Sequence, residues 1–312
     1  MGKVKNYLSL IKFSHTIFAM PFALIGFFLG LAPLNDKITV HQWNLNQSIG
    51  WGKEQDAHFW ESPFFIKFLL VIACMITARS AAMAFNRYLD RSFDAKNPRT
   101  AIREIPAGIL HANSVLLFTI ISCVLFITCT YFINSICFYL SPVALAVVLG
   151  YSYTKRFTPL CHLVLGLGLS LAPIGAYLAV TGVFALLPIL FSIAVICWVS
   201  GFDIIYALQD EEFDKTEQLY SIPAVMGKAN ALRVSEFLHL LSAGAVVYAG
   251  TLGHFGWLYW IGVLVFGGML VYQHSVVKPN DLRRVNLAFM TANGIASVVF
   301  AIFVIADLFI NP

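Results

Sequence analysis

Nine runs of apolar residues, each long enough to cross a lipid bilayer, fill most of this 312-residue chain. They fall at roughly 17–34, 64–85, 114–133, 135–153, 161–181, 184–208, 235–252, 256–273 and 288–310. Inside hydrocarbon every backbone N–H and C=O needs an internal partner, so runs of this length fold as helices. The expected fold is all-α: a polytopic membrane protein with nine transmembrane helices around a central cavity, in one domain over 1–312. Only 12% of the residues are charged, against about 25% in a soluble domain. The bilayer is the expected environment, and no nucleic-acid partner is expected. The first run is too long for a signal-peptide core and no small-residue cleavage pattern closes it, so it reads as a span. The six cysteines lie in apolar runs without metal-type spacing and read as small buried hydrophobes.

Basic residues orient the bundle. Sixteen of the 20 Lys and Arg precede span one or follow spans two, four, six and eight. Nine spans place all sixteen on one side, which the positive-inside rule makes cytoplasmic. The segment from Asn35 to Ser62 then lies outside, with Trp43, Trp51 and Trp60 as interfacial anchors.

Acids are scarce, yet eight of the sixteen sit in two short stretches at cytoplasmic span ends. In NRYLDRSFD, Asn86, Asp90 and Asp94 recur every fourth residue. In YALQDEEFD, Tyr206, Asp210 and Asp214 do the same, with Asp203 about two turns earlier. Such spacing sets each trio on one helix face. Even the residue before the last acid repeats, as Phe93 and Phe213. Carboxylates gathered at low dielectric are driven neutral unless a cation sits among them. Hard oxygen ligands on two facing helices suit Mg²⁺, which completes its shell with water and substrate phosphate. For one acidic pair, solvated helix ends matched by nearby Arg and Lys would be the simpler reading. Two matched copies favour a metal-diphosphate site.

These motifs, with KNPRTAIREIPAG (96–108), YSYTKRFTP (151–159) and FDIIYALQDEEFDK (202–215), resemble the UbiA superfamily of intramembrane prenyltransferases. The resemblance spans essentially the whole chain. It implies two Mg²⁺ ions held by Asn86, Asp90, Asp94, Asp203, Asp210 and Asp214, bridging the diphosphate of a polyprenyl donor, with Asp90, Asp94, Asp210 and Asp214 essential to catalysis. The stretches IKFSHTIFAMPFA (11–23) and ARSAAMAFNRYLD (78–90) look most like the 4-hydroxybenzoate polyprenyltransferase branch. That branch implies a 4-hydroxybenzoate or 1,4-dihydroxy-6-naphthoate acceptor, on the way to ubiquinone or menaquinone, in a bacterial inner membrane. Haem-farnesyl and chlorophyll-type transfer are the alternatives within the family. A transporter is the alternative outside it, and would carry its ionisable groups nearer mid-span.

Lys155, Arg156, Arg87, Arg91 and Arg99 are placed to neutralise diphosphate as the allylic C–O bond ionises. For Arg91 and Arg99 an ordinary membrane anchor is the equal alternative. Arg79, the one basic residue within a span, reads as the partner of an acceptor carboxylate or of an acid on a neighbouring helix. Tyr151, Tyr206, Lys12 and His15 complete the expected acceptor side. Segments 95–112 and 211–233 are expected as short amphipathic helices capping the cavity from the cytoplasm.

Overall fold

The computed structural model describes residues 3–11, 18–32 and 63–311. Lys12, His15 and the expected outer segment Asn35 to Ser62 lie outside these. Among the described residues the chain is helical, with no strand beyond an isolated bridge between Lys278 and Asp281. The helices are α1 (Lys3–Leu10), α2 (Met20–Leu31), α3 (Pro63–Leu89), α4 (Arg91–Lys96), α5 (Ala112–Ile133), α6 (Ser135–Thr154), α7 (Cys161–Thr181), α8 (Leu186–Ala207), α9 (Glu211–Thr216), α10 (Ile222–Leu252), α11 (Trp257–Val276) and α12 (Asn293–Ile310).

Each expected span carries a helix. Among the described residues six spans are long and apolar enough to cross a membrane: α3, α5, α6, α7, the stretch from α8 through α9, and α12 with the turn before it. The protein is a multi-pass integral membrane protein, and outward residues such as Leu117, Ile120, Ile121 and Val124 on α5 are exposed as lipid contact requires. Of the cysteines only Cys161 and Cys197 are buried. Cys74, Cys123, Cys129 and Cys137 are half-buried on α3, α5 and α6, whose outer faces are not covered by protein.

Local chemistry explains the boundaries. Asn134 is both the last cap of α5 and the first of α6, its Oδ1 accepting from Cys137 N–H at 2.9 Å and its Nδ2 donating to Leu178 O at 2.8 Å. One extended residue therefore suffices for the hairpin. α10 begins thirteen residues before the expected 235 because Ser221 caps it, accepting from Ala224 N–H, with Pro223 in the first turn. Between 97 and 111 the chain forms successive turns instead of the expected amphipathic helix. Pro98 and Pro106 lack the N–H that a helix needs, and Gly108 takes φ +72°. The 211–233 segment is helical, but divided into α9 and the start of α10, with a break at Gly227 where φ is +76°.

The main apolar core lies between α2, α7, α8, α10, α11 and α12, around Phe22, Trp198, Tyr259, Phe266 and Phe300. Small residues let helices approach where the site is built. A Cβ on Gly26 of α2 would lie 2.0 Å from Pro173 O of α7, and one on Gly166 of α7 would lie 2.6 Å from Ile196 O of α8.

Candidate active site

The two acidic motifs share one local structure. α3 stops at Leu89, Asp90 takes φ −88° and ψ 5°, and the six-residue α4 follows. α8 stops at Ala207, a 3₁₀ turn leads to Asp210 at φ −105° and ψ 5°, and the six-residue α9 follows. The helix therefore breaks at the middle acid of each motif. The i+4 backbone bonds from Asp90 N–H to Asn86 O and from Asp94 N–H to Asp90 O persist at 2.9 and 2.8 Å. The stripe expected from spacing survives the break, and Asp94 and Asp214, one turn into the short helices, are both buried.

Both stripes line one cavity of about 610 Å³. Asn86, Asp90, Asp94, Asp203, Asp210 and Asp214 all reach it, as do Phe93 and Phe213. Each acid of the two motifs shares its carboxylate with a base. Asp90 meets Arg156 at 3.1 Å, Asp94 meets Arg103 at 2.6 Å, and Asp214 meets Lys155 at 2.7 Å. Asp210 is gripped by Arg99, which also donates to the Tyr206 hydroxyl at 2.9 Å. Among the described residues no three His, Cys, Asp or Glu side chains stand close enough to hold a metal by themselves. Burial pushes the Asp90 carboxyl above its ordinary pKa; Arg156 opposes the shift and Asp94 adds to it. Burial works against charge on Lys155, yet Asp214 outweighs it and holds the ammonium above its ordinary value.

The motifs are tied to each other across the cavity. The turns after α4 bring Asn97 Nδ2 to 3.2 Å from Asp210 Oδ1, beside the Arg99 contact, and Lys96 meets Glu217 at 2.6 Å. Several buried atoms at the cavity carry unspent bonding capacity, Ser152 Oγ and Arg156 Nε among them. Asp94 Oδ2 is buried and accepts no hydrogen bond, and the buried Nε atoms of Arg87 and Arg79 donate none. Neither Arg79 nor Arg87 makes an ion pair among the described residues, so the acid from a neighbouring helix weighed for Arg79 is not there. An orphaned carboxylate oxygen and unpaired guanidinium groups facing one cavity suit a metal-bound anion.

Lys155, Arg156, Arg87, Arg99, Arg79, Tyr151 and Tyr206 all line this cavity. Arg91 does not: it is exposed, donates to Tyr88 O at 2.6 Å and lies over the Tyr88 ring. Its residue number follows Asp90, but the helix break turns it outward. Sequence reasoning missed Arg103, Asn97, His162, Ser221 and Phe289. Ser221 Oγ donates to Asp214 Oδ2 at 2.7 Å. Phe289, on a π-helical turn (Leu287–Ala292), packs 4.4 Å from the Tyr206 ring. The π-turn is held by Asn293 Nδ2, which donates to Phe289 O at 3.0 Å.

A second cavity, about 400 Å³ and lined almost wholly by apolar side chains of α3, α5, α6 and α7, adjoins the first. Arg79, Met83, Tyr151, Leu165 and Leu169 line both. A charged chamber thus opens onto a greasy one, with Arg79 and Tyr151 at the junction.

The model of the UbiA prenyltransferase family matches residues 57–295. Among similar proteins, a 4-hydroxybenzoate octaprenyltransferase from Tolumonas auensis is 30% identical over 245 residues, covering 77% of this chain and 83% of its own length. Another from Psychromonas ingrahamii is 31% identical, covering 72% and 77%. Among solved structures, a UbiA homologue from Aeropyrum pernix superposes with a TM-score of 0.74 at 24% identity, over 95% of this chain and 98% of that one. A UbiA homologue from Archaeoglobus fulgidus, solved with DMAPP and Mg²⁺, gives 0.67 at 19%, over 98% and 99%. The paired motifs, the cavity they share and these matches agree, and the chain belongs to the UbiA prenyltransferase family.

Proposed function

We propose that the chain transfers a polyprenyl group from polyprenyl diphosphate to a hydroxylated aromatic carboxylate, 4-hydroxybenzoate or 1,4-dihydroxy-6-naphthoate, in quinone biosynthesis. One observation carries the reading: two matched acid motifs face a single cavity that continues into an apolar chamber. The donor's charged head and hydrocarbon tail fit that sequence of surroundings.

Asn86, Asp90, Asp94, Asp203, Asp210 and Asp214 would hold two Mg²⁺ ions, and Asp94 Oδ2 has a free lone pair for one. When bound, Mg²⁺ supplies charge that draws the diphosphate away from the allylic carbon. Lys155, Arg156 and Arg99 each hold an acid, and a base that turns to a diphosphate oxygen frees its acid for metal. Arg87, without such a partner, meets the diphosphate directly. Arg79, about two turns deeper on α3, takes the acceptor carboxylate. Tyr206, Phe202, Phe289 and Phe18 wall the same cavity, where their faces shelter an allylic cation and keep water from quenching it.

The nine helices α2, α3, α5 to α8 and α10 to α12 are read as spans of a bacterial inner membrane. The acid motifs face the cytoplasm, where the turns at 97–111 and α9 cap the cavity as parts of one domain. The test is prenyl transfer by the purified protein with a polyprenyl diphosphate and each acceptor, with and without Mg²⁺. Mg²⁺-dependent product from one of the two supports the reading; donor left intact with both acceptors refutes it. A transporter would bind without consuming donor.

A further inference from the structure

His162 was chosen by no spacing argument, yet it is 2% exposed and lies at the cavity wall. Its Nδ1 is 2.6 Å from Asp203 Oδ2, and its Nε2 accepts the Ile222 backbone N–H at 3.3 Å. Both ring nitrogens are therefore committed. The backbone beneath is equally fixed: Ser200 Oγ donates to His162 O at 3.1 Å, and Gly166, one turn on, lets α7 lie against α8. Ile222 follows Ser221, the α10 cap that holds Asp214. The segment before it is pinned by Tyr220 N–H to Lys155 O at 2.7 Å. The start of α10 thus grips Asp214 directly and Asp203, seven residues before Asp210, through His162.

We propose that His162 is a positioning residue that fixes the Asp203 carboxylate at the metal-diphosphate site and couples it to the start of α10. With Oδ2 engaged by the imidazole, the Asp203 carboxylate is held in one orientation at the cavity it lines. A carboxylate free to rotate would be a poorer metal ligand, and both turnover and the stabilisation by Mg²⁺ plus donor would fall. This inference builds on the proposed prenyl transfer for its kinetic readout.

The test uses full-length protein in detergent. His162→Phe keeps a flat ring and removes both polar contacts; His162→Gln offers an amide N–H to Asp203 and a carbonyl to Ile222 N–H. His162→Phe is expected to lower kcat about tenfold or more and to reduce the thermal shift on adding Mg²⁺ plus donor. His162→Gln is expected to recover to within a few-fold of wild type. Wild-type kcat in His162→Phe overturns the proposal, as does loss of kcat in His162→Gln equal to that in a well-folded His162→Phe. If His162→Phe does not fold, His162→Gln and Asp203→Asn decide by ¹⁵N-histidine NMR. A protonated Nδ1 on His162 that shifts in Asp203→Asn supports it, and an unprotonated Nδ1 overturns it. That spectrum needs no turnover, so absence of product from wild type would refute the proposed reaction without touching the His162–Asp203 contact.

Discussion

Replacing Arg79 with Met separates acceptor binding from donor binding. Arg79 lies at the junction of the two cavities, its Nε buried without an acceptor and its guanidinium in no ion pair among the described residues. A buried charge without a protein partner costs stability, so its removal should leave thermal unfolding unchanged or raise the midpoint. Pairing with an acceptor carboxylate is a charge-assisted hydrogen bond of about 1.5–3 kcal/mol, equivalent to roughly a ten- to hundredfold rise in acceptor KM. The acid motif starts seven residues on, about 10 Å along α3, so donor KM should hold. Arg79→Lys should rescue only in part, because an ammonium lacks the planar fork. Steady-state kinetics with each substrate varied, beside unfolding curves, measures all of this. Unchanged acceptor KM together with a lowered unfolding midpoint would refute the reasoning and make Arg79 a structural cation.

Further outcomes follow from the same geometry. Asp94→Asn or Asp214→Asn should abolish turnover, and also the thermal stabilisation by Mg²⁺ plus donor that binding to the folded state produces; retention of both in either variant would contradict a shared metal site. Since burial raises the Asp90 pKa in the folded chain, that group's stability contribution is present at low pH and lost as pH rises through the raised value. Asp90→Asn should therefore not lower the unfolding midpoint at neutral pH without metal, though it should stop turnover. Gly26→Ala would push a methyl to 2.0 Å from Pro173 O, forcing α2 from α7, at a cost of about 1–3 kcal/mol visible as a lower unfolding midpoint. Cysteine labelling at position 99 should succeed only from the cytoplasmic face, and labelling from outside would invert the assigned orientation.

The acid motifs were legible because i+4 spacing survives even an interrupted helix: Asp90 and Asp94 share a face whether α3 continues or breaks. The break itself was not legible, for neither Asp90 nor Asp210 differs in kind from a mid-helix residue. Contacts that close the site span large sequence distances, such as Arg99 with Asp210 and Ser221's neighbour Ile222 with His162, and no local pattern encodes them. His162 sits in an apolar run where a lone histidine reads as packing. Arg103 lies in the stretch KNPRTAIREIPAG that carried the resemblance, yet its ion pair with Asp94 depended on turns set by Pro98 and Pro106. Those two prolines were the available signal against a helix at 97–111. Phe289 could not be told from the other phenylalanines, because a π-turn held by a buried Asn293 aims it.

Anomalous diffraction from crystals grown with Mn²⁺ and an unreactive thio-analogue of a prenyl diphosphate would test the shared metal-diphosphate site most directly. The expected result is two peaks, one ligated from Asp90 and Asp94 and one from Asp210 and Asp214, joined by diphosphate, with Arg156, Arg103, Arg99 and Lys155 released from at least some of their acids. Diphosphate bound elsewhere, or no metal at the acids and all four ion pairs intact, would contradict the account.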